Sequence, residues 1–214
     1  MKPILFLAAV LFSQSLWAQL PNFVRIKDVQ IEGSACKAQT ANAFLSPDLR
    51  EMSILFDRYS VDIGKGTENS GSRALEKGCD IIVSLEVAPA WAPKIESLIY
   101  RGFANLPSGH VAYHIIKIDS TDLGNLGVDI LTLNGPKQGL FGQEVKVSSI
   151  NDKLACMKAS TNATVNRIYK IRIHSRIGVR NLLGFLSKPQ SSLNVDSADA
   201  AIRQDLKLTW QKCF

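Results

Sequence analysis

Cys79-Asp-Ile-Ile-Val-Ser-Leu-Glu-Val87 is the stretch whose reading decides the fold. Ile81, Val83, Leu85 and Val87 fall on one side of an extended chain. Asp80, Ser84 and Glu86 fall on the other, and Ile82 is the one exception. A period of two is the signature of a half-buried strand, because successive side chains of a strand point to opposite faces. The same alternation returns near the end, where Leu206, Leu208 and Trp210 interleave with Lys207, Thr209 and Gln211. It returns again over Val165–Arg176, with Val165, Tyr169, Ile171 and Ile173 opposite Lys170, Arg172, His174 and Arg176. Phe23–Ile31, Gly127–Leu133 and Gly139–Ser149 are weaker strand candidates. Helical patterns are few: Ser97–Ala104 and Ser197–Leu206 each support a turn or two. Many short strands with turn residues between them predict an all-β protein, an antiparallel β-sandwich of jelly-roll-like or Greek-key type with at most one or two short helices.

Two irregularities qualify the pattern. In Glu51–Ile63 the apolar phase of Met52, Ile54 and Phe56 switches to that of Tyr59, Val61 and Ile63. One extra residue near Asp57–Arg58, a β-bulge or a simple bend, restores the register. Leu106-Pro107-Ser108-Gly109 reads as a type I turn, proline second and glycine fourth, joining Ile95–Phe103 to Val111–Ile118. Gly102, inside the first of these, suggests a bulge or a close backbone approach. His110 and His114 then share a strand face about 13 Å apart, too far to clamp one ion. His114, in line with Ile116 and Ile118, is expected to be partly buried and hydrogen-bonded.

The N-terminus sets the compartment. Lys2 is followed by an apolar run, Ile4–Phe12, and then Ser-Gln-Ser-Leu-Trp-Ala18. A charged start, a short apolar core and a small residue at the end describe a signal peptide over residues 1–18. Residues 19–214 then form one β-sandwich domain, secreted or periplasmic, with no transmembrane segment expected. In an exported chain, Cys36, Cys79, Cys156 and Cys213 read as two disulfides. Three connectivities exist, and Cys36–Cys79 with Cys156–Cys213 is favoured because each stays within one half of the chain. No Cys-x-x-Cys pair is present, so zinc spacing is missing.

Catalytic signatures are scarce. There is no Gly-x-Ser-x-Gly elbow, and Gly64-Lys65-Gly66-Thr67 lacks phosphate-loop spacing. No cofactor is therefore expected, no metal site, and no nucleic-acid partner. A secreted, glycosidase-like hydrolase needs paired carboxylates, for which Asp57, Asp62, Glu86 and Glu96 are available. The strongest charge feature is the row Lys170, Arg172, His174 and Arg176, with Arg180 beyond. It reads either as a solvated strand face, an edge protected from aggregation, or as a contact surface for an acidic surface polymer or another protein. The overall charge of +6 permits such contact without demanding it.

An ordered set of local marks runs through the chain: Gly33-Ser34-Ala35-Cys36, Leu55–Tyr59 with Gly64-Lys65-Gly66, and Cys79-Asp80-Ile81 leading to Val87-Ala88-Pro89. Tyr100-Arg101-Gly102-Phe103, Leu106–Gly109, Gly135-Pro136 and Leu208-Thr209-Trp210-Gln211-Lys212-Cys213 complete it. In these marks the chain resembles the family of small secreted proteins called domain of unknown function 4360. The resemblance implies an exported, β-rich, cysteine-paired protein and carries no assigned activity or functional residues. One departure is local: Pro89-Ala90 stands where a proline-glycine turn is expected. The leading functional expectation is an exported, non-catalytic binding or structural module of unknown ligand.

Overall fold

A computed structural model describes residues 20–36, 41–56, 59–147, 156, 164–183, 189–194 and 203–213. The signal-peptide reading, Asp57 and most of the Ser197–Leu206 stretch lie outside the described residues.

The described chain forms two antiparallel sheets. The first contains β1 (Val24–Gly33), β5 (Ala74–Val87), β10 (Arg167–Asn181), β7 (His110–Ser120) and β8 (Gly124–Asn134), in that spatial order. The second contains β2 (Ala41–Leu45), β3 (Glu51–Phe56), β12 (Gln204–Lys212), β6 (Trp91–Leu106), β11 (Ser191–Asn194) and β4 (Ser60–Ile63), with β9 (Lys137–Lys146) on the other side of β6. Along one side of β6, β12 pairs with Trp91–Tyr100 and β11 with Phe103–Asn105. β3 in turn pairs with β12, and β4 with β11. β3 and β4 are thus successive parts of one course through the sheet, which is where the phase switch of Glu51–Ile63 falls. β10 returns late in the chain to lie between β5 and β7, the out-of-sequence insertion of a jelly-roll-like winding.

Alternation decides which side chains meet between the sheets. Ile81, Val83, Leu85 and Val87 of β5, Tyr169, Ile171 and Ile173 of β10, and Ile54, Leu98 and Leu206 opposite them are all buried. Val165 does not join this row; it precedes β10 and is exposed. Both disulfides have the favoured connectivity. Cys36–Cys79 and Cys156–Cys213 close separations of 43 and 57 residues, with Cα atoms 5.5 and 5.1 Å apart. Loops of this size correspond to about 4 kcal/mol each in the chain-entropy model.

Four local expectations need correction. Ser97–Ala104 is strand, not helix, because it lies within β6 and is paired on both edges. Gly102 marks no bulge: it pairs regularly with Phe141, and the register break in β6 lies at Glu96, between the Lys207–Ser97 and Leu208–Ile95 pairs. The turn after β6 is shifted by one residue. His110 N–H donates to the Pro107 carbonyl at 3.1 Å, and Gly109 is third, with φ of 75°. That positive φ is what a type II turn requires of its third residue, so glycine is there for its backbone freedom. Ser187–Ser192 reads in the sequence as a Ser- and Pro-containing linker, but Ser191-Ser192 begins β11.

Candidate functional site

The row on β10 lies on a solvent-facing side, but not at an edge. β10 is the central strand of its sheet, so the reading of an edge guarded by charge does not hold. Its neighbours supply carboxylates. His174 Nδ1 lies 2.9 Å from Asp80 Oδ1 on β5, and Nε2 lies 3.2 Å from Asp119 Oδ2 on β7. Each ring nitrogen thus stands beside a carboxylate from a neighbouring strand. Arg176 folds over Gly78, where a Cβ would strike its guanidinium. Lys170, Arg176 and Arg180 are exposed. The row is therefore a charge ladder shared by three strands rather than a bare basic strip.

Among the described residues, the proposed carboxylates Asp62, Glu86 and Glu96 do not assemble. Glu86 is on the first sheet, held by Arg25 and Asn166. Asp62 and Glu96 belong to the second sheet. Asp62 pairs through Ser192 with Asn105, and Glu96 is roughly nine residues along the same strand, ~30 Å away.

Glu96 instead lies in an open groove of about 860 Å³ on the second sheet. The Ser46–Arg50 turn, β3, β12, β6 and β9 contribute its walls. Carboxylates come from Asp48, Glu51, Glu96 and Glu144, and cations from Arg50, Lys146 and Lys207. Glu144 accepts from Ser97 Oγ at 2.7 Å, and Glu96 from Thr209 Oγ1 at 3.1 Å. Lys207 donates to Glu51, and this bond holds the Glu51 carboxyl below the usual range against the opposing effect of burial. The Ser46 hydroxyl and the Arg50 N–H do the same for Asp48. Leu20 and Trp210 add apolar surface, and the indole N–H of Trp210 is fixed on the Leu49 carbonyl at 2.8 Å.

Next to the groove is a buried anchor. Asp205, 1 % exposed, accepts from Arg203 Nε and Ser53 Oγ, each at 2.7 Å, and Arg101 approaches to 3.6 Å. Between the two sheets, His114 is hydrogen-bonded as expected but fully rather than partly buried. Its Nε2 is 2.7 Å from Ser175 Oγ, and the Tyr59 hydroxyl donates to the same oxygen at 2.5 Å. Burial pushes His114 down to about 3 and raises Tyr59 well above the usual phenol value.

Sequence reasoning found Glu96 and missed its companions. Glu51, Lys207, Glu144 and Lys146 all occupy outward positions of their strands, which is a readable signal. Their adjacency is not readable, because it depends on β12 inserting between β3 and β6.

The chain matches the family described as domain of unknown function 4360 over residues 22–213. The chain belongs to this family. It is also 25% identical over 201 residues to an uncharacterized secreted protein of Arthroderma benhamiae (strain ATCC MYA-4681 / CBS 112371), covering 90% of this chain and 73% of that protein. The secreted relative and the two disulfides place this family member outside the reducing cytosol. Among solved structures, TmCBM61 in complex with β-1,4-galactotriose matches 87% of this chain and 90% of its own, at 7% identity and a TM-score of 0.26. A carbohydrate-binding module of the β-sandwich superfamily matches 86% of this chain and 57% of its own, at 10% identity and a TM-score of 0.22. Scores this low say nothing about ligand.

Proposed function

We propose that residues 19–214 act as one exported, non-catalytic binding module whose groove between β3, β12, β6 and β9 holds a neutral, polyhydroxylated polymer. The observation that carries this reading is the composition of the groove wall. Carboxylates only accept hydrogen bonds when ionised, and ammonium and guanidinium groups only donate. A hydroxyl does both, so a hydroxyl-rich ligand suits a wall where the two kinds stand side by side. The near balance of four carboxylates and three cations gives no driving force for a strongly acidic ligand. The apolar surface of Leu20 and Trp210 suits the C–H faces of sugar-like rings. Glu51 and Asp48 are held ionised, whereas a glycosidase needs a carboxyl kept protonated as general acid.

A panel of neutral and acidic polysaccharides, assayed for binding and for release of reducing ends, tests this. Neutral polymers should bind with no turnover, and Lys146→Ala or Glu144→Gln should each weaken binding by about tenfold. Turnover abolished by Glu96→Gln would establish the hydrolase instead. A second reading, an acidic polymer or protein on the β10 row, is favoured by the exposed Lys170, Arg176 and Arg180. It predicts binding that weakens steeply with salt and with Arg176→Ala, and that ignores Lys146→Ala.

A further inference from the structure

The edges of the two sheets are not defended alike. Natural sheets guard edge strands by shortness, by charge or by bulges, since an unguarded edge offers free N–H and C=O groups to another strand. β2 and β4, flanking one side of the second sheet, are five and four residues long. β9, on its other side, carries Lys137, Glu144 and Lys146. β1 carries Arg25, Lys27, Asp28 and Glu32, and its pairing with β5 breaks register between Ile26 and Asp28.

β8, the other edge of the first sheet among the described residues, is guarded only by a break near one end and by one inward-turned charge. It runs from Gly124 to Asn134 with a single charge, Asp129. That carboxylate accepts from Tyr100 Oη at 3.0 Å and Gln143 Nε2 at 2.7 Å, so it is turned toward β6 and β9. The only register break lies near Leu126; from Gly127 to Asn134 the ladder with β7 is regular. On its outer face Val128 is 56% exposed and Ile130 59% exposed, and Ile115 of β7 stands directly beside Ile130. An exposed apolar pair on a long, nearly uncharged edge is an association site.

We propose that β8 pairs antiparallel with β8 of a second copy of this chain, joining the two five-stranded sheets into one of ten. Self-pairing about a two-fold axis fits the strand. With Ile130 opposite Ile130 of the second copy, Val128 falls opposite Thr132, and the outer rows of both copies stay on one side. The apolar strip Ile115–Ile130 then runs on unbroken into its own image. Asp129 falls opposite Leu131, so no like charges face each other across the ladder.

Sedimentation of the mature chain from ~1 µM to ~1 mM tests this. A monomer–dimer equilibrium should appear. Ile130→Lys and, separately, Val128→Lys should each raise the dissociation constant by about tenfold or more. Leu140→Lys, at an equally exposed position on β9, should leave it unchanged. Amides of β8 should gain hydrogen-exchange protection as concentration rises. A wild-type chain that stays monomeric throughout overturns the proposal, as does a dimer indifferent to both β8 variants. Both substituted side chains are solvent-facing, and the wild-type measurement decides the matter even if a variant does not fold. Failure here leaves the groove reading untouched, since no groove residue takes part.

Discussion

The outer faces of the two sheets are built from the same kinds of charged side chain, yet they differ in depth. On the first sheet, His174 bridges Asp80 and Asp119 in a ladder where all three side chains keep solvent contact, Asp80 at 49%. On the second, Asp205 is 1% exposed beneath Arg203, Arg101 and Ser53, and Glu51 is tied to Lys207. One face is screened by water and contributes little to stability. The other is part of the packed structure and frames a groove. Ion pairs of the same kind therefore do not carry the same energy: burial sets the scale.

The largest effect comes from beneath both faces. His114 is neutral in the fold, with its value pushed down to about 3, against ~6.5 when unfolded. The unfolded chain takes up this proton first as pH falls. Stability is thus complete above about 6.5 and declines steadily toward pH 3, by up to ~5 kcal/mol. Urea unfolding at stepped pH should show this decline, and His114→Gln should flatten it between those limits. A flat wild-type profile would mean that the ring is charged or hydrated in the fold.

Next in size is the direct contrast between the faces. Asp205→Ala should cost about 2–3 kcal/mol, because Arg203, Arg101 and Ser53 lose their shared acceptor. Thermal midpoint should drop by roughly 5–10 °C for a chain of this length. Asp80→Ala should cost under about 1 kcal/mol. Equal losses would erase the distinction between a buried and a screened face.

The smallest effect sharpens the comparison by leaving both faces alone. At the crossing from β5 to β6, Ala90 has φ of 59°, where an L-residue with a Cβ is disfavoured. Trp91 N–H bonds to the Ala88 carbonyl at 3.3 Å across this turn. Ala90→Gly should stabilise by about 0.5–1 kcal/mol in calorimetry while leaving ligand binding and dimerisation as they were. This turn is also where the resemblance implies a proline-glycine pair, and the backbone adopts the glycine-like conformation with alanine in that place.

Much of the interior was readable from residue order. Ile81, Val83, Leu85 and Val87 are buried as their spacing requires, and so are His110 and His114, on the same face. Ser175 was readable too, as a hydroxyl at an inward position between Ile173 and Ile177, where burial demands a hydrogen-bond partner. Its partners, Tyr59 and His114, were not, because they arrive from other strands. The β10 row was visible because all its cations belong to one strand. The groove was invisible because Glu51 and Lys207 meet from opposite ends of the chain.

Residue order by itself determined the inward and outward parity of each strand and the pool of four cysteines available for crosslinking. Both are local matters: parity follows from backbone geometry, and disulfide chemistry from thiols in an oxidising compartment. Tertiary structure alone decided that β10 is central, that β12 lies between β3 and β6, and that β8 is the outermost strand of its sheet among the described residues. Strand neighbours are chosen by the cooperative packing of two whole sheets, and no short window of sequence records that choice.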